Sequence, residues 1–178
     1  RNYPGVEYVI TANGGAVYSV REGKRVYQCL LEKESVEAAI AVRKRENMVL
    51  EVVIDGVPYA EEAYVKDPMQ YLATEYGAKY IKATRKPVKD ICRFAQKHAE
   101  ELDSISFVCR YEDKERLYTS LDKEIPNVYV TSSVPNLMEV GHIDAGKGKT
   151  LLWLLKKLEI STEEAMAFGD ADNDISML

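Results

Sequence analysis

The spacing of hydrophobic and polar residues along the chain predicts both strands and helices. Short apolar or alternating runs are typical of strands, and they lie at 6–15 (ending in an Asn-Gly-Gly turn), 16–20, 25–30, 48–54, 57–59, 104–110, 127–133, 136–140 and 164–168. Apolar residues three or four positions apart, or capping residues, are typical of helices, and they occur at 35–47, 67–77, 87–102, 112–123 and 147–158. Two turn signals, Glu22-Gly23 and Asp55-Gly56, each predict a hairpin.

The order of these elements predicts an α/β protein in which one domain is inserted into another. The two ends of the chain, 6–15 and 144–178, resemble the strand–turn and helix–strand–loop pieces of a parallel α/β sheet. The middle of the chain carries hairpins and helices that are typical of an antiparallel α+β module. We therefore predict core segments at 1–15 and 139–178, with a second domain inserted at 16–138.

Three carboxylates crowd the loop after the last predicted strand. Asp170, Asp172 and Asp174 lie within five residues and directly follow Gly169. Parallel sheets gather ligands at the carboxyl ends of their strands, and neighbouring carboxylates repel one another unless a cation lies among them. Because hard cations such as Mg²⁺ prefer oxygen ligands, we predict that Asp170 is a direct Mg²⁺ ligand. Asn173 and Asp174 would support it by orienting waters or a neighbouring lysine.

The acidic loop has two other interpretations. An EF-hand calcium loop also begins with alternating aspartates, but it needs glycine at its sixth position. Ile175 occupies that position here, which excludes the calcium loop. A solvated acidic turn or a helix cap stays open, because aspartate and asparagine often make such turns without binding a ligand.

A second candidate site lies at the start of the helix predicted at 147–158. Lys147 stands between Gly146 and Gly148. Helix N-termini attract anions, and a lysine adds a point charge for phosphate. The segment is not a Walker A loop, because glycine rather than serine or threonine follows Lys147. A solvated helix start is the alternative for Lys147.

Composition and charge exclude several classes of function. The net charge is −5, whereas a nucleic-acid-binding surface normally brings a basic excess. No apolar run approaches the roughly 20 residues that span a bilayer, and no signal peptide is visible. Cys29, Cys92 and Cys109 are isolated, which indicates reduced thiols. We therefore predict a cytoplasmic protein without nucleic-acid or membrane partners, and its oligomeric state stays open.

Taken together, the motifs resemble one family, the Cof-type branch of the haloacid dehalogenase-like (HAD) phosphatases with a large C2-type cap. The segments that carry the resemblance are 10–15, 136–140, 147–148, 158–160 and 169–178. Gly15 and Glu159 stand where this family usually has alanine and glycine. The resemblance covers the whole chain and implies a parallel Rossmannoid core with an inserted α+β cap.

The resemblance also implies an activity and roles for the site residues. It implies a Mg²⁺-dependent phosphatase for a small phosphorylated metabolite, such as a sugar phosphate, acting through an aspartyl-phosphate. Lys147 would be catalytic and substrate-binding, and Asn173 would also contact substrate. Asp170, Asn173 and Asp174 would form the metal site. The alternatives are a sugar-phosphate mutase with the same core or a non-catalytic binding module, while a Mg²⁺-independent dehalogenase is less expected.

One motif of the family is absent from the chain. The nucleophile of the family belongs to an Asp-x-Asp-Gly-Thr motif that lies upstream of the Asn-Gly-Gly turn, followed by a Ser/Thr motif. Neither motif precedes Asn13, and the chain starts at Arg1 and stops at Leu178, where a helix is predicted to begin. The resemblance therefore predicts truncation at both ends and predicts that the chain is inactive by itself.

Overall fold

The computed structural model describes residues 4–178, although the side chain of Asp172 lies outside the described part, as do residues 1–3 of the predicted core segment. The strands are β1 (Tyr8–Thr11), β2 (Ala16–Ser19), β3 (Lys24–Gln28), β4 (Val49–Ile54), β5 (Val57–Glu61), β6 (Lys86–Val88), β7 (Leu102–Val108), β8 (Val128–Thr131) and β9 (Leu137–His142). The helices are α1 (Lys33–Glu46), α2 (Glu62–Lys66), α3 (Glu75–Thr84), α4 (Ile91–Lys97), α5 (Lys114–Glu124) and α6 (Lys147–Lys157). Short 3₁₀ turns lie at Ala12–Gly14, Pro68–Tyr71, Tyr111–Asp113, Thr162–Glu164 and Asp172–Met177.

A six-stranded sheet forms the centre of the middle part of the chain. Its strand order is β6-β5-β4-β7-β9-β8, and every neighbouring pair is antiparallel except β5–β6. The hairpin between β4 and β5 turns at Asp55 and Gly56, which both have positive φ, as a type I′ turn requires. The predicted antiparallel α+β module is confirmed.

One face of this sheet packs against α1, α4 and α5. Alternate positions along each strand point to this face, as the period of two in a strand requires. The buried apolar side chains include Val36, Ile40, Leu50, Val52, Ile91, Ile105, Phe107, Leu117, Leu121, Met138 and Val140. This face therefore supplies the main hydrophobic core. Among the described helices, none combines the length and the apolarity that a bilayer span needs.

The opposite face, called here the second face, is only partly covered by α2 and α3. Tyr64 and Ile81 from these helices pack over Val108. Glu51, Ser106 and Glu139 pair with one another across β4, β7 and β9, and directly opposed residues point to the same face. The second face therefore carries a row of polar side chains beside an apolar patch.

The two ends of the chain meet at a smaller antiparallel sheet with the order β1-β2-β3. Helix α6 begins five residues after the end of β9 in the sequence. Thr150 in α6 donates a hydrogen bond of 2.7 Å to the carbonyl of Gly14. Strand β1 lies before the domain boundary predicted after residue 15 and pairs with β2, which lies after it, while β9 includes residues on both sides of the boundary predicted after residue 138. The limits of the two domains stay a prediction.

The strand predicted at 164–168 is not formed. Residues 162–164 make a 3₁₀ turn instead, and the segment that follows belongs to no sheet. Met166 and Phe168 are each 81% exposed. A strand needs a neighbour to satisfy its backbone groups, and within residues 4–178 this apolar run has none. The parallel pairing expected at the chain ends is likewise not seen in the described part, where β1 runs antiparallel to β2.

Two predicted helices have different limits from those expected. The helix predicted at 67–77 is a short 3₁₀ turn followed by α3, because Leu72 has a left-handed φ of 72° and Thr74 caps the new helix. Gly77 therefore lies in the first turn of α3 and does not end a helix. The helix predicted at 87–102 shrinks to α4, because Asp90 caps its start and both flanking segments join the sheet.

Removing the cap of α3 is expected to destabilise the protein. The Thr74 hydroxyl accepts a hydrogen bond of 3.1 Å from the backbone N–H of Gly77, so Thr74→Ala should lower the free energy of unfolding by about 1 kcal/mol. The matched control is Thr119→Ala, because the Thr119 hydroxyl only donates to the Glu115 carbonyl of its own helix, a contact that adds little. Urea unfolding measures both, and equal losses in the two variants would contradict the capping role.

Candidate functional site

An ion pair joins the acidic loop to the start of α6. Gly146 precedes this helix with a φ of 124°, a backbone conformation that favours glycine. Lys147 is the first helical residue and is partly buried, and its Nζ donates a hydrogen bond of 2.5 Å to Asp174 Oδ1. The structure therefore brings together two residues that the sequence singled out 27 positions apart.

The carboxylate of Asp174 is buried, and both of its oxygens accept hydrogen bonds. Its second oxygen, Oδ2, accepts hydrogen bonds from the backbone N–H groups of Asp170 at 3.1 Å and Ala171 at 3.3 Å. The hydrogen bond from Lys147, followed by that from the Asp170 N–H, holds the pKa of Asp174 below its ordinary value. An ionised Asp174 therefore fixes the loop against α6. Because both of its oxygens already accept hydrogen bonds, its contacts favour a role in positioning Lys147 over a role as a metal ligand.

A chain of side-chain hydrogen bonds connects the loop to the six-stranded sheet. Asn173 Nδ2 donates to Asn13 Oδ1 at 3.0 Å, and Asn13 Nδ2 donates to Glu139 Oε1 at 3.0 Å. The Tyr129 hydroxyl fixes Asn13 further by donating to its carbonyl at 2.8 Å. Asn13 has a φ of 50°, which asparagine tolerates better than most residues.

Sequence reasoning missed Asn13 and Glu139 as members of the site. The local pattern around Asn13 indicates a turn, and the pattern around Glu139 indicates a strand. The available signal was their place in the segments 10–15 and 136–140, which carry the family resemblance. Their contact joins residues that are 126 positions apart, and no local sequence pattern predicts such a contact.

Two glycines allow the backbone segments around the site to approach closely. A Cβ on Gly14 would lie 2.5 Å from the carbonyl carbon of Gly146, and a Cβ on Gly148 would overlap the carbonyl of Ser176. The Gly148 N–H also donates a hydrogen bond of 3.1 Å to Ser176 Oγ. Gly14 and Gly148 are therefore needed for the close packing of the acidic loop, the turn and α6.

The oxygen atoms that remain available fit a hard cation. The carboxylate of Asp170 is exposed and makes no hydrogen bond or ion pair to the other described residues. Asn173 Oδ1 is buried and has no hydrogen-bond partner in the described part of the chain. Both are oxygen donors of the type that Mg²⁺ prefers. Among the described residues no group of three or more histidine, cysteine, aspartate or glutamate side chains forms a metal cluster.

Solved structures of hydrolases share this fold. A haloacid dehalogenase-like hydrolase from B. subtilis superposes with a TM-score of 0.76 at 21% identity, covering 97% of this chain and 66% of that one. A HAD subclass IIB sugar phosphatase superposes with a TM-score of 0.73 at 19% identity, covering 97% of this chain and 61% of that one. These likenesses show the HAD-like fold with its inserted cap, as the sequence predicts.

A named relative is similar over nearly all of this chain. The HMP-PP phosphatase of Klebsiella pneumoniae (strain 342) is 26% identical over 172 residues, which are 96% of this chain and 59% of the relative. The chain thus spans less than two thirds of the length of this relative. The family model of the haloacid dehalogenase-like hydrolases matches residues 2–178, and the chain therefore belongs to the haloacid dehalogenase-like hydrolase family.

Proposed function

We propose that the whole protein is a Mg²⁺-dependent phosphatase that hydrolyses a small phosphorylated metabolite, such as a sugar phosphate. The observation that carries this proposal is the ion pair between Lys147 and Asp174 at the N-terminus of α6, beside the exposed Asp170. A phosphatase among the relatives and the family membership support it.

Lys147 binds the phosphoryl group in this proposal. An ammonium carries three donors, and Asp174 Oδ1 accepts one of them. The other two are available to phosphoryl oxygens, and the positive end of the α6 dipole favours an anion at the same place. Because Asp174 fixes the ammonium in advance, Lys147 stabilises the charge that develops on the phosphoryl oxygens without reorganising.

Asp170 and Asn173 Oδ1 would hold the metal ion. Bound Mg²⁺ supplies charge neutralisation for the phosphate and polarises its oxygens. Asn173 keeps its orientation through the hydrogen bond from its Nδ2 to Asn13, which leaves Oδ1 for the cation or the substrate. Asp174 holds Lys147 and the backbone of the loop in place.

The attacking group is not among the residues ahead of Asn13, where no Asp-x-Asp motif occurs. In the proposed reaction an aspartate carboxylate attacks phosphorus and the ester P–O bond breaks. The alcohol leaves, and water then hydrolyses the aspartyl-phosphate. We propose that this aspartate belongs to another part of the whole protein, and that residues 1–178 alone do not turn substrate over. Turnover of p-nitrophenyl phosphate by the isolated chain, abolished by Asp170→Asn, would contradict this.

Replacing Asp170 is expected to weaken the dependence on metal. In the whole protein, Asp170→Asn should raise the Mg²⁺ concentration for half-maximal phosphate release by at least about tenfold, because affinity for a hard cation follows the charge of its ligands. Asp122→Asn is the matched control, since Asp122 is exposed on α5. An unchanged Mg²⁺ titration for Asp170→Asn would overturn its assignment. Release of inorganic phosphate, as opposed to an isomerised sugar phosphate, separates hydrolysis from the mutase reaction.

A further inference from the structure

Contacts divide the fold into two parts. Residues 4–28 and 147–178, called here the α6 part, contain the smaller sheet, α6 and the acidic loop. Within this part the ring of Tyr27 packs against that of Trp153 with the ring centroids 4.5 Å apart, which joins β3 to α6. Residues 33–142, called here the six-stranded part, contain the larger sheet and its helices. The acidic loop and the lysine that it holds therefore belong to the α6 part.

The chain crosses between the two parts twice, through short segments at 29–32 and 143–146. The crossings lie side by side, because Sγ of Cys29, which begins the first, is 3.3 Å from Nδ1 of His142, which precedes the second. A few residues at the ends of elements are enough to absorb a rotation of one domain against another. The paired crossings therefore have the arrangement of a hinge, and contacts away from them decide whether the parts can rotate.

A buried aspartate at the start of β7 is paired with an arginine of the smaller sheet. The side chain of Asp103 is 0% exposed, and Arg25 Nη2 lies 2.9 Å from each of its two carboxylate oxygens. The N–H of Gly56, in the turn between β4 and β5, donates to Asp103 Oδ2 at 2.9 Å. Since Arg25 belongs to β3 and Asp103 to β7, this ion pair connects the α6 part with the six-stranded part.

The same arginine reaches the β4–β5 turn through a tyrosine hydroxyl. The Tyr18 hydroxyl accepts from Arg25 Nε at 3.2 Å and from Nη2 at 3.0 Å, and it donates to Asp55 Oδ1 at 2.9 Å. Arg25 Nη2 also lies 3.1 Å from that aspartate oxygen. A planar guanidinium holds its acceptors in fixed directions, so these contacts specify an orientation as well as a distance. We call this group, formed by Tyr18, Arg25, Asp55, Gly56 and Asp103, the latch.

The latch lies to one side of the crossings. In the order of the larger sheet, β9 leads into the second crossing and is followed by β7 and then β4. Because neighbouring strands lie about 4.8 Å apart, Asp103 on β7 and the β4–β5 turn lie roughly 5 and 10 Å to that side. On the opposite side of β9, Tyr129 of β8 donates to the carbonyl of Asn13. A rotation about the crossings would therefore break contacts on one side or the other.

The latch resists opening because Asp103 is buried. Burial raises the pKa of Asp103, and the Gly56 N–H and Arg25 counteract this rise. Within residues 4–178, Arg25 is the one cation that forms an ion pair with Asp103. Removing one partner from a buried pair is strongly unfavourable, whereas replacing both partners together is often neutral. A rotation that withdraws Arg25 from Asp103 is therefore expected to be unfavourable.

We propose that the latch holds the six-stranded part in one orientation relative to the α6 part, and that opening the latch lets the two parts rotate about the paired crossings. The contact of Tyr129 with Asn13 lies beside the crossings on the other side and does not replace the latch. Because the α6 part carries Lys147 and Asp174, the latch also sets how the larger sheet faces the candidate site. The inference does not depend on the proposed phosphatase function.

Residual dipolar couplings of backbone N–H groups, measured by NMR on the whole protein, report the relative orientation of the two parts. We expect the couplings of both parts in the wild type to fit a single alignment tensor. In Arg25→Met the two parts should need separate tensors that differ at least about 1.5-fold in magnitude, because rotation about a hinge averages the couplings of one part relative to the other. A wild type that needs two tensors, or an Arg25→Met variant that keeps one, would overturn the proposal.

Arg45→Met is the matched control for the loss of an arginine ion pair. Arg45 lies 2.6 Å from Glu124, but Arg45 belongs to α1 and Glu124 to α5, both inside the six-stranded part. The control should keep a single tensor, because it removes no contact between the two parts. Two tensors in Arg45→Met would show that losing any arginine pair loosens the fold, and this result would refute a specific role of the latch.

A double variant keeps the test decisive if the loss of Arg25 alone prevents folding. Arg25→Met leaves Asp103 unpaired and should raise the equilibrium constant of unfolding at least about 100-fold. Adding Asp103→Asn removes the buried charge, and the amide oxygen can still accept from the Gly56 N–H. The double variant should therefore regain most of the lost stability and still need two tensors. A single tensor in the double variant would show that packing, and not the latch, sets the orientation, and would refute the proposal.

Discussion

Replacing Lys147 with methionine is expected to lower the kcat of the whole protein by about 10²–10³-fold, the loss typical of removing one preorganised donor from a developing negative charge. Methionine keeps most of the length of the side chain but carries no charge, so the phosphoryl oxygens lose their ammonium. Lys149→Met is the matched control: Lys149 lies two residues further along α6, is exposed, donates to the carbonyl of Ile143, and forms an exposed ion pair with Asp144 at 3.7 Å. Steady-state phosphate release measures both variants.

The same substitution has a separate, pH-dependent effect on stability. Lys147 holds the pKa of Asp174 below its ordinary value in the folded protein. A carboxylate with a depressed folded pKa stabilises the fold above its unfolded pKa, and this contribution disappears as the pH falls through the folded pKa. The stability difference between the wild type and Lys147→Met should therefore be largest near neutral pH and should shrink in acid. A difference that stays constant with pH, or unchanged activity, would contradict the pairing with Asp174.

Local spacing was enough to single out Lys147 and Asp170 as candidate site residues, but it did not predict their contacts. Lys147 stands out because it opens an apolar helix between glycines, and Asp170 because acids crowd after an apolar run. Neither pattern predicts that one oxygen of Asp174 accepts a hydrogen bond from Lys147 and the other accepts one from the loop backbone. That arrangement depends on the 3₁₀ turn at Asp172–Met177, whose geometry is set by packing against α6.

The elements with strong periodicity were predicted within a few residues, and the failures have physical causes. The hydrophobic pattern of β4 fits a strand and not a helix, and the pattern of α6 fits a helix and not a strand. The run at 164–168 is apolar throughout, and such a run does not specify whether a neighbouring strand is present to pair with it. Gly77 was expected to end a helix, but its N–H bonds to Thr74, which places it at the beginning of α3. Capping by a threonine outweighed the general tendency of glycine to end helices.

The polar row of the second face could not be predicted from the sequence, because it depends on strand register. Glu51, Ser106 and Glu139 come from three strands and become neighbours only when β4, β7 and β9 pair in the observed alignment. Each residue alone resembles an ordinary polar position in a half-exposed strand. A shift of one residue in either pairing would turn a carboxylate into the main core. The register of the sheet, set by the apolar residues of the opposite face, thereby determines which acids lie on the second face.

Substitution of Gly148 by alanine is expected to destabilise the protein by about 1–3 kcal/mol, the usual effect of forcing an extra methyl group into a packed contact. Alanine is the better helix former, by about 0.5–1 kcal/mol, so the helix itself would gain from the change. The loss arises because the new Cβ would overlap the carbonyl of Ser176. Since Ser176 belongs to the same turn as Asp174, moving this segment away also separates Asp174 from Lys147, and phosphate release should fall with the stability.

Gly77→Ala is the matched control for this effect. Gly77 also lies in the first turn of a helix, but its added Cβ would meet side-chain atoms instead of backbone, Thr74 Oγ1 at 3.3 Å and Ala73 Cβ at 3.9 Å. Its free energy of unfolding should therefore stay within about 1 kcal/mol of the wild type, with activity retained. Urea unfolding and phosphate release are compared for the two variants. If Gly148→Ala were as stable and active as Gly77→Ala, the acidic loop would not need its close contact with α6, and the preorganised pair of Lys147 and Asp174 would lose its structural basis.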